Sequence, residues 1–230
     1  MKNNKIDYIK NIVNKPWGYE YVIYNDNKKI AITYLNIKYK KQTSLHCHPK
    51  KKTGFIILQG RAEVQIGIYK KNTKIFGPNS RLVFRPGLFH SLKSISKQGL
   101  YALEFEAPFL KHDLVRLNDK YGRASKGYEG KKSLSSISNM TIFKKPKKNQ
   151  KLSYEINNSL ITIQNISKID QLYKYKDDST SAILDGALVD TKNQNVISYG
   201  EVIKTNTIGV LSKSFKLKKN MTILKVQKKK

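Results

Sequence analysis

Short apolar runs, several of which alternate apolar and polar positions, dominate the first half of the chain. Period-two alternation in residues rich in Ile, Val, Tyr and Phe is typical of half-buried β-strands. Turn-forming pairs such as Gln59-Gly60 and Pro86-Gly87 separate the runs. Many short strands at close spacing predict an all-β sandwich or barrel. The predicted strands are residues 19–24, 30–37, 55–58, 62–69, 81–84 and 100–109.

The pattern changes after this region. Leu114 and Leu117 are three residues apart and follow Asp113, which predicts a short helical turn within residues 111–121. Residues 126–152 contain two glycines, a serine-rich run and a lysine-rich run around Pro146, and are predicted to be a linker or a surface loop.

Strand-like runs return after residue 152, at residues 160–164, 180–189, 195–199, 207–211 and 221–226. The run Ile57-Leu58-Gln59-Gly60 has an echo in Ile183-Leu184-Asp185-Gly186. We therefore expect residues 153–230 to form a shortened, degenerate second copy of the β-unit in residues 15–125. The second copy has no histidine, so it is expected to carry no metal site.

The charge of the chain is strongly positive, with a formal net charge of +29. A basic surface suits nucleic acid or another anionic partner. However, only five of the 45 basic residues are arginine, and the chain is rich in Asn, Ile and Tyr, a composition typical of AT-rich coding sequence. No RNA-binding or helix-turn-helix signature accompanies the charge. Nucleic acid is therefore not expected as a partner. A small anionic ligand is still expected.

Targeting signals and disulfides are not expected. Residues 1–15 lack the apolar core of a secretory signal, and no run approaches the ~20 apolar residues of a membrane-spanning helix. The single cysteine, Cys47, excludes an internal disulfide. These features predict a cytoplasmic protein without a membrane span.

Three histidines carry the candidate chemistry. His46 and His48 are two residues apart, so on a strand both side chains point to the same face. His90 follows the Pro86-Gly87 turn, which places a distant residue at the start of a strand. Three neutral imidazoles suit a divalent metal such as Zn, Mn, Fe, Co or Ni and leave coordination positions open.

These motifs resemble those of the cupin superfamily. The first reads His46-x-His48, four residues, Thr53, six residues and Gly60, and the second reads Pro86-x-x-x-His90. The segments 15–20, 44–48, 85–87 and 113–123 are similar to mannose-6-phosphate isomerase-like cupins of lipopolysaccharide and capsule sugar pathways. The resemblance implies a jelly-roll barrel over residues 15–125, a bicupin-like chain, a homodimer, and a sugar phosphate or nucleotide sugar as ligand.

Thr53 departs from the cupin motif, which usually has a glutamate ligand at this place. A neutral hydroxyl is a poor metal ligand. Substitutes could come from Glu63, Glu104, Glu106 or Gln42. Glu104 and Glu106 share a face of their predicted strand, which could be the barrel interior.

The leading hypothesis is a sugar isomerase or epimerase. A metal on His46, His48 and His90 would polarise substrate oxygens, and Glu104 or Glu106 could move a proton. The candidates to hold the anionic group of the substrate are Lys51, Lys52, Arg81 and Arg85.

Two alternatives remain open at this point. In the first, no metal binds, and His46 and His48 act directly as acid and base, as in some sugar-nucleotide ketoisomerases of cupin fold. In the second, the chain is a non-catalytic cupin that binds a sugar or steadies a partner enzyme.

Overall fold

The computed structural model describes residues 7–27, 29–124 and 126–229. Residues 1–6, part of the segment considered above for a secretory signal, lie outside them. The described elements are almost entirely antiparallel strands, which confirms the all-β prediction. Within the described ranges, no helix has the length and apolar character required to cross a bilayer.

The first twelve strands belong to two sheets. A seven-stranded sheet has the order β12-β1-β2-β3-β10-β5-β8, and a five-stranded sheet has the order β11-β4-β9-β6-β7. The strands are β1 Asn11–Lys15, β2 Gly18–Asp26, β3 Ile30–Ile37, β4 Leu45–Cys47, β5 Lys52–Gln59, β6 Ala62–Ile66, β7 Thr73–Phe76, β8 Arg81–Phe84, β9 His90–Ser94, β10 Leu100–Ala107, β11 Val115–Asn118 and β12 Leu134–Ser136. A 3-10 helix, Lys131–Ser133, precedes β12.

The remaining elements build a second pair of sheets, with the orders β13-β14-β20-β15-β18 and β17-β16-β19. Their bounds are β13 Lys151–Ile156, β14 Ser159–Ile166, a 3-10 helix Ile169–Lys174, β15 Thr180–Asp185, β16 Ala187–Val189, β17 Asn195–Ser198, β18 Val202–Lys204, α1 Thr205–Leu211, β19 Lys216–Leu217 and β20 Met221–Lys228.

The strand order of the first half recurs in the second. The order β3-β10-β5-β8 matches β14-β20-β15-β18, and β9-β6-β7 matches β19-β16-β17. The echo between the two halves falls on equivalent strands, β5 and β15. Where β4 lies between β3 and β5, the second half has the 3-10 helix Ile169–Lys174 instead. The strand that holds His46 therefore has no counterpart there.

The four sheets stack so that apolar side chains fill each space between neighbours. A first core lies between the two sheets of the N-terminal half and includes Phe55 and Ile57. The next residues along the same strand, Ile56 and Leu58, point the opposite way into a central core that joins the two halves. Because both faces of β5 are covered, its central residues form a continuous apolar run rather than an alternating one.

Two local predictions are wrong. Residues 111–121 contain strand β11, which pairs with β4, rather than a helical turn. Residues 207–211 belong to the helix α1 rather than to a strand, although they are rich in β-branched residues. Packing explains the helix, because Ile208 is fully buried and a Cβ added to Gly209 would lie 2.2 Å from the carbonyl oxygen of Tyr175. Tertiary contact here overrides local preference.

The segment 126–152 is tied to the N-terminal half at several points. Strand β12 pairs with β1 at the edge of the large sheet. Phe143 is buried in the central core, and its N–H donates to the carbonyl oxygen of Ile23 at 2.7 Å. The segment predicted as a linker or surface loop thus contributes to the packing of the barrel it follows.

Two equivalent glycine turns give a test of the repeated architecture. Gly60 and Gly186 have φ of +83° and +81°, and an added Cβ would lie 2.2 Å and 2.5 Å from the carbonyl oxygens of Gly99 and Asn220. We predict that Gly60→Ala and Gly186→Ala each lower the free energy of unfolding by about 2 kcal/mol or more, because backbone strain and the steric clash add. Urea unfolding followed by circular dichroism measures this.

The matched control is Gly77→Ala. An added Cβ at Gly77 meets nothing within 4 Å, so its effect should stay within about 0.5 kcal/mol. Equal effects at all three glycines would contradict the proposed backbone requirement.

Candidate metal centre and charged cavity

Three imidazoles meet inside the N-terminal barrel. His46 on β4 pairs directly with His90 on β9, and His48 follows the end of β4 on the same side. The ring centroid of His46 lies 4.7 Å from that of His90 and 4.9 Å from that of His48. One nitrogen from each ring lies within 4.8 Å of the other two. The strand pairing thus joins residues that are more than 40 positions apart in sequence.

Backbone carbonyls fix the orientation of each ring. The Nδ1 atoms of His46, His48 and His90 lie 2.8, 2.5 and 3.0 Å from the carbonyl oxygens of Ser44, Asp113 and Leu88. A carbonyl oxygen only accepts, so each Nδ1 carries the proton and each Nε2 keeps its lone pair. The Nε2 atoms of His48 and His90 are buried and have no partner among the described residues. Buried, unpaired lone pairs aimed into one space are the arrangement that a metal ion satisfies.

Burial keeps the imidazoles neutral. It lowers the pKa of His46 well below its usual range, with His90 and His48 as further contributors. It also lowers the pKa of His48 to about 3 and that of His90 to about 4, and the charge of Lys51 adds to both shifts. The Phe84 ring stacks on His90 at 4.1 Å with 4° between the planes. Neutral imidazole is the form that coordinates a metal.

Thr53 is buried on β5, and its Oγ1 has no hydrogen-bond partner among the described residues. Its strand face is that of Phe55, toward the first core. Of the proposed substitute ligands, Glu63 lies on the outer side of its sheet, where it pairs with Lys93 at 2.9 Å. Glu104 and Glu106 line the same cavity as His46 and His48. The donor set therefore fits a metal held by three imidazoles.

Glu106 is held as an anion. Its carboxylate accepts from Lys111 at 2.8 Å and from Thr33 at 2.8 Å, and it also pairs with Lys51. Burial opposes ionisation, but the fields and hydrogen bonds of Lys111 and Lys51 outweigh it and hold the pKa of Glu106 below its usual range. A carboxylate with several donors is a poor proton carrier.

Glu104, two residues earlier on β10, has the opposite environment. Its side chain is partly buried, and this burial together with the like charge of neighbouring Glu106 raises the pKa of Glu104 to about 8. Among the described residues, no group donates a hydrogen bond to the Glu104 side chain, whereas three groups donate to Glu106. Two carboxyls whose environments separate their pKa values are typical of acid–base sites.

The cavity beside the imidazoles is small and highly charged. Its volume is about 60 Å³, well below the ~300–1,000 Å³ typical of ligand pockets. A ligand of sugar size would fit this space only after residues of the wall had moved. Five cationic side chains line it, together with three glutamates and Trp17; the cations are Lys15, Lys51, Lys111, Arg116 and Arg123.

A segment after β11 contributes Arg123 and Tyr128 to the wall of this cavity; we call residues 119–124 and 126–130 the strap. The hydroxyl of Tyr128 donates to Glu20, and Arg123 pairs with Glu129 at 2.6 Å. Lys15 from β1 also pairs with Glu129. An ion pair thus connects the strap to β1, and a hydrogen bond connects it to β2.

The structure brings together only some of the residues predicted for the site. His46, His48, His90, Glu104, Glu106 and Lys51 meet at the imidazoles or the cavity. Lys52 pairs instead with Glu201 of the C-terminal half, at 2.6 Å. Arg81 and Arg85 are exposed outside the cavity, because the alternation of β8 turns Leu82 and Phe84 inward.

Sequence reasoning missed several residues of the cavity wall, namely Lys15, Glu20, Lys111 and Tyr128. Their positions depend on the strap and on ion pairs between distant segments, which no local pattern specifies. The resemblance segments 15–20 and 113–123 were an available signal, because they contain four charged residues of this wall, Lys15, Glu20, Arg116 and Arg123.

The first comparison with known proteins gives a family. A family model described as mannose-6-phosphate isomerase C-terminal matches residues 2–119, which is 118 of the 230 residues. No curated protein matches the chain.

Solved structures show weaker similarity. KdgF from Halomonas sp. is 14% identical with a TM-score of 0.38, and the match covers 47% of this chain and 93% of that one. A sugar phosphate isomerase of the cupin superfamily from Silicibacter pomeroyi is 10% identical with a TM-score of 0.32, covering 35% and 52%. Because these identities and TM-scores are low, the assignment to a family rests on the match of the family model to residues 2–119.

The contrast between the two glutamates predicts opposite effects of substitution. Native Glu104 keeps its proton up to a pH of about 8, whereas an unfolded chain loses it near the usual carboxyl pKa. Stability from this group therefore falls as pH rises between these values. We predict that Glu104→Gln matches the native protein near pH 5 and exceeds it at pH 8 by a few kcal/mol, measured by urea unfolding.

Glu106→Gln should be destabilising by about 3–5 kcal/mol at neutral pH, because it leaves Lys51 and Lys111 buried without their carboxylate. Glu63→Gln is the control, since its half-exposed pair with Lys93 contributes less than about 1 kcal/mol. The assignment fails if Glu104→Gln is destabilising at pH 8.

Proposed function

The chain belongs to the mannose-6-phosphate isomerase C-terminal family of cupins, and from this membership we propose that it is a metal-dependent isomerase or epimerase. Its substrate is a sugar phosphate or a nucleotide sugar, used in the synthesis of a surface polysaccharide. The observation that carries the proposal is the convergence of three imidazoles whose Nδ1 protons are bound to backbone carbonyls.

His46, His48 and His90 would hold the metal through their Nε2 atoms. When bound, a divalent ion such as Zn, Mn, Fe or Ni would supply Lewis-acid polarisation of substrate oxygens. The tautomers need no change on binding, because the carbonyls of Ser44, Asp113 and Leu88 already accept the Nδ1 protons.

Glu104 is the proton carrier in this proposal. Isomerisation requires removal of a proton from the carbon next to a carbonyl and its return to a neighbouring atom. A carboxyl with a pKa of about 8 takes up and releases a proton near neutral pH, whereas Glu106 stays ionised between Lys51 and Lys111. Glu106 therefore has a positioning role, because it fixes the two lysines and raises the proton affinity of Glu104.

The metal-free alternative has less support. Direct acid–base chemistry by His46 and His48 requires imidazoles that gain and lose a proton near neutral pH. Here both Nδ1 protons are held by carbonyls, and both rings are buried beside Lys51.

One observation favours a non-catalytic alternative. Thr53 replaces the usual glutamate ligand, so a bound metal would lack a protein carboxylate. In this alternative the barrel binds a sugar or a partner enzyme without turning over substrate, and the deuterium exchange described below is absent.

The metal site is tested by metal content. We predict that the native protein retains about one divalent ion per chain after dialysis and that His48→Ala and His90→Ala lose it, because each removes a ligand from a three-imidazole site. Atomic emission spectroscopy of the purified proteins measures the ratio. His112→Ala is the matched control, since the fourth histidine lies outside the cluster. Native protein that stays metal-free after exposure to Zn, Mn, Fe and Ni would contradict this site.

The reaction is tested by exchange of the sugar C2 proton with deuterium, followed by NMR on phosphorylated and nucleotide-linked sugars. We predict that Glu104→Gln reduces the exchange rate at least ~100-fold, since it removes the proton carrier. The native rate should rise with pH and level off above a pH of about 8, because Glu104 is half ionised at that pH and fully ionised only above it. Glu63→Gln should exchange at the native rate. A native protein without exchange on any such sugar is not an isomerase of this class.

A further inference from the structure

The cavity wall contains an arginine with an unused donor. Arg116 lies opposite His46 in the pairing of β11 with β4, so both side chains point from the same face of the sheet. Directly paired residues have Cβ atoms ~5 Å apart, which places the guanidinium beside the imidazole cluster. The Arg116 side chain is only 3% exposed, and its Nε is buried without a partner in the described parts of the chain.

The rest of the guanidinium is held in place. One terminal nitrogen donates to the carbonyl oxygen of Gly127 at 2.8 Å and to that of Lys126, and the other lies 3.7 Å from Glu129. A buried charged donor without an acceptor is costly, so a fixed guanidinium with an open Nε is suited to an incoming oxygen atom.

Two more cations line the cavity with Arg116. Arg123 is oriented by Asp119, with 2.7 Å between the charged atoms, and Lys15 pairs with Glu129. The carboxylates of Asp119 and Glu129 do not line the cavity, whereas the three cations do. The acids therefore anchor the cations from behind and leave their charge directed at the enclosed space.

The charge of the wall favours an anion. Five cations line the cavity against three carboxyl groups, and one of the three, Glu104, is protonated at neutral pH. Glu106 pairs with Lys111, and Glu20 accepts from Tyr128 and lies 3.6 Å from Lys15. At the end of the cavity that contains Arg116, Arg123 and Lys15, the paired acids offset most of the positive charge. The Nε of Arg116 is the donor there that lacks a partner among the described residues.

We propose that Arg116, Arg123 and Lys15 form an oxyanion-binding subsite beside the imidazole cluster. It receives the phosphate or carboxylate group of the ligand, with the Nε of Arg116 as its first donor. The inference deepens the proposed function and rests on it for the identity of the ligand. It replaces Arg81, Arg85 and Lys52, which lie outside the cavity, as the residues that hold the anionic group.

The test is binding of inorganic phosphate to the full chain, by isothermal titration calorimetry near physiological ionic strength, where surface attraction is screened. Arg116→Gln should weaken phosphate binding roughly tenfold or more, because it removes a charged donor. Arg116→Lys should lose severalfold, since it keeps the charge without the Nε or the planar fork. Arg61→Gln, an exposed arginine elsewhere on the barrel, should bind as the native protein does.

Acetate competition separates the two sources of the oxyanion. Displacement of phosphate by acetate at similar concentrations supports a carboxylate-type ligand, and resistance to acetate supports a phosphate ester; both agree with an oxyanion subsite. Circular dichroism confirms that each variant is folded, and Arg116→Lys remains informative if Arg116→Gln does not fold.

Three results would overturn the subsite. Phosphate affinity equal to the native value in both Arg116 variants excludes it. A loss of affinity in Arg61→Gln as large as that in Arg116→Gln also excludes it, because it indicates diffuse surface attraction. Loss of phosphate binding in His48→Ala with retention in Arg116→Gln places the anion on a metal ion instead. Because this experiment uses neither a sugar nor turnover, it can fail while proton exchange succeeds, and the reverse also holds.

Discussion

A charge inside a protein has to be neutralised or paired, and this constraint organises the interior of the N-terminal barrel. The imidazoles meet it by remaining neutral, since each Nδ1 proton is bound to a backbone carbonyl. Glu106 meets it by pairing with two lysines, and Glu104 meets it by keeping its proton. One electrostatic requirement thus has three consequences: imidazoles with free lone pairs, an ionised Glu106 and a protonated Glu104.

The two halves of the chain share an arrangement of strands but not this chemistry. The second half replaces β4 with a 3-10 helix, so it lacks the strand on which two ligands could alternate toward one interior. Its core is apolar, with Leu172 of that helix and Ile208 of α1 filling the space between its sheets. The same arrangement of strands can therefore enclose either a charged site or a hydrocarbon core.

Much of the fold followed from the sequence, because strand periodicity and turn residues are local signals. The same alternation correctly placed Glu104 and Glu106 on one interior face. The cavity wall did not follow, since Arg116 reaches His46 only through the pairing of β11 with β4, which residues 111–121 do not reveal on their own. The helix at residues 205–211 was missed for a related reason: its stability comes from burial of Ile208 against distant residues rather than from its own propensities.

The central core has a consequence for assembly. The outer face of the large N-terminal sheet, with Ile23, Ile32 and Phe105, packs against Ile163 and Leu224 of the C-terminal half. A single barrel would leave this apolar face available to a second copy. Here the C-terminal half of the same chain covers the face. This face is therefore not available for contact with a second copy of the chain. The C-terminal half thus shields the apolar face of the sheet that supports the site.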